Sequence, residues 1–100
     1  GEQEDHATVR LYVEVWAIAV ADEDVAHVVR DFYAQYVSHV VRAVAGAQPH
    51  LNASDLDATA QTIVSLLEGS AVLRSRIAGR KSEASDRMLV KTLQCLIHGA

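Results

Sequence analysis

The sequence predicts an all-α domain, a bundle of four helices in an orthogonal or antiparallel arrangement. Three observations lead there. Apolar residues recur at helical spacing through four segments, each bounded by residues that start or stop helices. Half of the 100 residues are hydrophobic, yet only five are aromatic and one is proline, so the core is built of Val, Ala and Leu. The apolar arcs are also wide. At about 100° per residue each helix is apolar over half its circumference or more, where a surface helix needs only a stripe of roughly 100°. Such width calls for partners on two sides, most simply including a second copy of the chain.

The first helix is expected from about Glu4 to Ala21. Val9, Val13, Trp16 and Val20 line one face, and Leu11, Val15 and Ile18 the opposite one. Arg10 and Glu14 stand four apart as a solvated pair. The run from Leu11 to Val20 is rich in strand-favouring Val and Ile, but it is long and holds no turn residue, which favours a helix. A helix this apolar is expected to sit deep, and it is the one most in need of cover in a monomer.

The second helix starts at the acids Asp22, Glu23 and Asp24, where a helix N-terminus favours negative charge, and runs to about Ala45. Val25, Val29, Phe32, Tyr36, Val40 and Val44 form its inner face, flanked by Val28, Tyr33 and Val37. His27, Asp31, Gln35, Ser38 and Arg42 form its wet stripe. Gly46 is the expected residue just past its end, and Pro49 prevents resumption. The stretch Gly46–Ala53 is the only sizeable loop expected.

Ser54 and Asp57 resemble a capping box for a third helix from Ser54 to Ala78, stopped by Gly79. Leu56, Ala60, Ile63, Leu67 and Ala71 fill one side of its arc; Leu66, Leu73 and Ile77 fill the other. Gly69 in mid-helix costs about 1 kcal/mol relative to Ala. With Ser70 and Ala71 it forms a small-residue patch that another helix can approach closely. Ser82 caps the fourth helix, which runs to about His98. Leu89, Val90, Leu93, Leu96 and Ile97 are its apolar arc, and Glu83, Arg87, Lys91 and Gln94 its polar face.

The chemistry expected of this chain is largely negative. No nucleotide-binding loop is present, and no H-x-x-x-H or C-x-x-C pair offers metal ligands. His27 and Asp31 read as a surface ion pair. The carboxylates lie at helix starts or on wet faces, so no enzyme, cofactor or metal is expected. The net charge of −4 argues against nucleic-acid binding by this chain alone. Arg74, Arg76, Arg80 and Lys81 read as cations suited to a helix C-terminus. The lone Cys95 makes no intrachain disulfide, reads as a packed small hydrophobe, and fits a reducing cytoplasm. No uncharged run approaches the roughly 20 residues of a bilayer span, and no signal peptide is recognisable.

Four of the five aromatics, Tyr12, Trp16, Tyr33 and Tyr36, come within helical reach of one face, with Phe32 close by and His39 inside the apolar face of the second helix. Aromatic walls with a few polar groups suit a small-molecule pocket, although a dry core shows the same pattern. The expected walls are Tyr12, Trp16, Phe32, Tyr36, Val40 and Leu67, with His39 and Ser70 as polar contacts and a small apolar or aromatic effector as ligand.

Two segments together carry a resemblance. Arg10-Leu11-Tyr12-Val13-Glu14-Val15-Trp16-Ala17-Ile18-Ala19, followed by the acidic start at Asp22-Glu23-Asp24, resembles the C-terminal regulatory half of the tetracycline-repressor (TetR) family of bacterial transcription regulators. The segment Ile63-Val64-Ser65-Leu66-Leu67-Glu68-Gly69-Ser70-Ala71-Val72-Leu73-Arg74 resembles that family's penultimate helix, with a short final helix after it. The resemblance implies an effector-sensing and dimerising domain, a homodimer made by the last two helices of each subunit, and an inducer pocket among the earlier helices. The expected interface residues are Leu66, Gly69, Ser70, Leu73, Ile77, Leu89, Leu93, Leu96 and Ile97. It also implies a DNA-binding helix-turn-helix that these 100 residues lack. The start at Gly1-Glu2-Gln3, without Met, fits a piece of a longer protein. The alternative reading is a stand-alone helical module that binds a different protein with the same apolar arcs.

Overall fold

The computed structural model describes residues 2–100, with side chains from residue 7 onward; Gly1 lies outside the described residues. Four helices follow in order: α1 (Glu2–Ala21), α2 (Glu23–Ala47), α3 (Ala53–Arg74) and α4 (Glu83–His98). There is no strand among the described residues. α2 is central, packed most extensively on α3 and then on α1, while α4 lies against α2 and α3 and α1 meets α3 only lightly.

The wide arcs have a direct consequence in the shape. The chain measures 40 × 37 × 17 Å, a flat slab about two helices thick, since packed helices lie about 8–10 Å apart. Its radius of gyration is 15.3 Å, against about 13 Å for a compact chain of this length. Its accessible surface is 7114 Å², about 1,600 Å² more than a compact monomer of this mass exposes. The fully buried apolar set is correspondingly small: Val9, Val44, Ala60, Ile63 and Val64.

α1 departs most from expectation. It does not sit deep. Of its expected inner face only Val9 is buried, whereas Val13, Trp16 and Val20 are exposed, as are Leu11 and Ile18 on the other side. The cause is geometric, since α1 packs on α2 and meets α3 only lightly. The inner face of α2 fares better. Val25, Val29, Tyr36 and Val40 are half-buried and Val44 fully so; Phe32 is the exception, as is Val28 on the flank. Its wet stripe from His27 to Arg42 is exposed as expected. Arg10–Glu14 (3.3 Å) and His27–Asp31 (4.0 Å) are surface pairs.

The helix ends show what side chains add to propensity. Asp22 caps α2 by accepting from the N–H groups of Asp24 and Val25. Gly46 does not end the helix; α2 continues to Ala47, and the Gln48 N–H donates to Val44 O at 2.7 Å. The Gln48 side chain is buried and reaches across to α4, where Nε2 donates to the carbonyls of Leu96 (2.9 Å) and Ile97 (3.0 Å). These are end-of-helix carbonyls with no intrahelical partner. Gly99 closes α4 in the left-handed region at φ 79°, and a Cβ there would lie 2.6 Å from Gln48 Oε1. A glutamine and a glycine thus tie the ends of α2 and α4 together.

The boundaries of α3 are also corrected. Its cap is Asn52, whose side chain accepts from the Asp55 N–H at 2.8 Å; no Ser54–Asp57 box forms, and Asp57 instead accepts from Gln61. The helix stops at Arg74, not Ala78, because the Ser75 hydroxyl turns back to donate to Val72 O at 2.6 Å. Such local bonding competes with the helical ladder. A tight turn follows, with the Gly79 N–H donating to Ser75 O and the Arg80 N–H to Leu73 O. Gly79 takes φ 67° there. A second loop, residues 75–82, therefore exists beside the first, which is shorter than expected at residues 48–52. It removes Arg76, Arg80 and Lys81 from the helix end, and only Arg74 remains in the last turn, paired with Asp86 at 2.9 Å. Ser82 caps α4 as expected, through the Ser85 N–H. No helix among the described residues is long and apolar enough to cross a membrane.

Candidate functional site

The packing of α1 on α2 brings five rings into one cluster. Tyr12 meets Phe32 edge-on with centroids 6.5 Å apart, and Trp16 meets Tyr33 at 6.1 Å. Phe32 sits edge-on to Tyr33 at 5.2 Å and to Tyr36 at 6.1 Å, while Tyr33 and Tyr36 stack at 6.5 Å. Edge-to-face and offset contacts at these separations suit the ring quadrupole. The cluster is not sealed, because Trp16 is 51% exposed and Phe32 47%.

Beside the cluster, between α1 and the second half of α3, lies a half-open cavity of about 750 Å³. Its walls include Tyr12, Trp16 and Tyr33 on one side and Glu68 and Val72 on the other, with Arg74 and Lys81 also lining it. That volume is within the range of small-molecule sites, about 300–1,000 Å³.

Glu68 is the electrostatic centre of this region. One oxygen of its carboxylate, Oε1, is buried and has no hydrogen-bond partner. Its charge reaches all three tyrosines. Burial first, then the Glu68 charge and hydrogen bonding with it, push the Tyr33 hydroxyl up to about 12. Burial and then Glu68 also raise Tyr36 and Tyr12. All three therefore stay neutral donors well above neutral pH.

Raised values in the folded state fix the sign of a stability effect. Between the unfolded value near 10 and the folded value near 12 the native chain binds more protons than the unfolded one, so stability falls as pH rises through that window. Chemical denaturation at pH 9 and at pH 11.5 should show a lower midpoint at the higher pH, and Tyr33→Phe should flatten the difference. Equal midpoints for the parent chain would contradict the burial of these hydroxyls beside a carboxylate.

The other residues expected at the site fall out as follows. Tyr12 and Trp16 line the cavity. Phe32 and Tyr36 stand behind them in the ring cluster. Val40, Leu67 and Ser70 are not in the cavity wall. His39 is not inside the apolar face; it is exposed, and its Nδ1 meets the Arg42 guanidinium one turn on. Of the expected interface set, Leu66, Ser70, Leu89, Leu93, Leu96 and Ile97 are half-buried within the chain, while Gly69, Leu73 and Ile77 are exposed. A Cβ on Gly69 would meet nothing within 4 Å, so no helix of this chain uses the close approach it permits.

Most of the cavity wall lies outside the expected set, Tyr33 and Glu68 above all. Tyr33 stands with Tyr12, Trp16 and Tyr36 among the aromatics that suggest a pocket, but not among its expected walls. Glu68 read as part of an acidic-Gly step, although a signal existed: it shares a helical stripe with Val64 and Val72, four residues to either side. A carboxylate in an apolar row is a site candidate.

The family model of the BetI-type transcriptional repressor C-terminal domain matches residues 1–96. No curated protein and no solved structure matches the chain.

Proposed function

The chain belongs to the C-terminal domain family of BetI-type transcriptional repressors, and on that premise we propose that it is the effector-sensing and homodimerising part of a TetR-like bacterial transcriptional regulator, a repressor released by a small ligand. The observation that carries the sensing role is the half-open cavity walled by Tyr12, Trp16 and Tyr33. A repressor domain needs a place where a small molecule can alter helix packing, and this cavity touches both α1 and α3. Three side chains on its wall belong to the ring cluster, and one of them, Tyr33, is on α2, so a ligand there presses on three helices. The effector is small and carries an apolar or aromatic body, and a reducing cytoplasm suits the exposed Cys95.

Dimerisation draws support from the surface. The excess of about 1,600 Å² over a compact monomer is twice the roughly 800 Å² that each partner contributes to a standard interface. On α3 and the turn after it, Leu73 and Ile77 are exposed, and on α4 so are Met88 and Val90. A second copy meeting these helices about a two-fold axis covers such a surface with one self-complementary patch. The net charge of −4 leaves operator binding to another part of the regulator.

Trp16, the only tryptophan, reports on the sensing role directly. Titrating phenylalkyl compounds into the 100-residue chain should shift its emission saturably and protect it from acrylamide quenching. His39→Ala should leave the response unchanged, since His39 lies outside the cavity. Emission indifferent to every member of the panel would remove the sensing assignment.

A further inference from the structure

We propose that the cavity takes a protonated primary, secondary or tertiary amine on an apolar or aromatic body, its N–H donated to Glu68 Oε1. This rests on the sensing role assigned above and names its ligand class. Glu68 Oε1 is buried without a partner, and native proteins rarely leave a buried acceptor unmatched. The deficit for such a group is about 1–3 kcal/mol and more when it is charged. A ligand that supplies a donor recovers it.

The surroundings select the donor. The walls beside Glu68 are the rings of Tyr12, Trp16 and Tyr33, whose faces attract a cation and repel an anion. A neutral hydroxyl could donate to Oε1 but gains nothing from the rings. A quaternary ammonium gains from the rings but has no N–H to give. Only an ammonium with at least one N–H satisfies both, and its bond to a carboxylate is the stronger, charge-assisted kind. The chain's own cations Arg74 and Lys81 also line the cavity, but Arg74 is held by Asp86 and neither bonds Glu68 Oε1.

The test is an isosteric series bound to the parent chain, read by Trp16 emission and by ligand-observed NMR. It comprises 4-phenylbutylamine, its N,N-dimethyl and N,N,N-trimethyl derivatives, 4-phenylbutanol and 4-phenylbutyrate. The primary and dimethyl amines should bind at least tenfold more tightly than the alcohol and the trimethylammonium, with the carboxylate weakest. Glu68→Gln should remove that preference, bringing the two amines down to the level of the alcohol. If all five bind alike, or the trimethylammonium binds best, the amine assignment is overturned and the cavity remains a sensing site. If 4-phenylbutyrate binds best and Lys81→Met abolishes it, Lys81 is the ionic anchor and the assignment is again overturned. If none binds, both the assignment and the sensing role beneath it fall. The ranking on the parent chain stands whether or not the Glu68 variant folds.

Discussion

Gln48→Ala should lower the melting temperature by on the order of 10 °C, one of the largest effects expected for any single truncation in this chain. The buried amide makes two hydrogen bonds to end-of-helix carbonyls, Leu96 O and Ile97 O. At about 1 kcal/mol net for each bond the loss is about 2 kcal/mol. For a domain of this size each kcal/mol moves the melting point by about 4–8 °C. The bonds join α2 to α4, so the loss weakens a tertiary joint and not one helix. A companion substitution checks the geometry. Gly99→Ala places a Cβ 2.6 Å from Gln48 Oε1 at a backbone angle, φ 79°, that suits glycine. It should be destabilising in the parent chain and less so in the Gln48→Ala background, where the clash is gone. That difference is the coupling a double-mutant cycle reads. Melts at one fixed protein concentration keep concentration itself from shifting the comparison. Additive effects would mean the two residues do not share the contact.

Val90→Glu should abolish self-association while leaving the helical content unchanged. The homodimer is proposed through α3 and α4, and the choice of residue decides what is tested. Leu66 and Leu93 are half-buried inside the chain, so a carboxylate at either would disturb the monomer together with any interface. Val90 is 54% exposed and lies on α4 next to the stripe of Leu93 and Ile97. A glutamate there costs the monomer little. In a two-fold interface it is buried twice without a partner, at several kcal/mol. Each 1.4 kcal/mol is about tenfold in the dissociation constant, so weakening by more than a hundredfold is expected. Sedimentation equilibrium should show a dimer for the parent chain and a monomer for the variant. A parent chain that is monomeric at tens of micromolar would falsify the dimer proposal, and a dimeric variant would move the interface away from this edge of α4.

The fold was readable because it depends on local signals. The caps at Asp22 and Ser82 and the end of α4 before Gly99 stand where the residues call for them. Where local signals misled, a tertiary or side-chain competitor overrode them. Gly46 offers a stop for α2, but Gln48, pulled toward the carbonyls of α4, holds two more residues in register. The pattern in α3 continues to Ala78, but the Ser75 hydroxyl takes Val72 O and turns the chain out of the helix.

The candidate site was half readable for a related reason. Periodicity says which residues share a face and nothing about which faces meet. It grouped Tyr12 with Trp16 and Phe32 with Tyr36, and the crossing of α1 on α2 then made them one cluster. It also placed His39 on the apolar side of α2, where the bundle offers no neighbour and the imidazole turns to Arg42. Glu68 is the converse. Its one local mark is the stripe it shares with Val64 and Val72, and its importance comes from three tyrosines and one cavity brought to it by other helices. Helix identity and amphipathic width are properties of consecutive residues, and four helices with more apolar face than one chain can cover follow from the order of the letters. Burial, an orphaned oxygen and a hydroxyl held neutral to high pH are properties of distant residues at contact distance, so they come into being only when the helices cross.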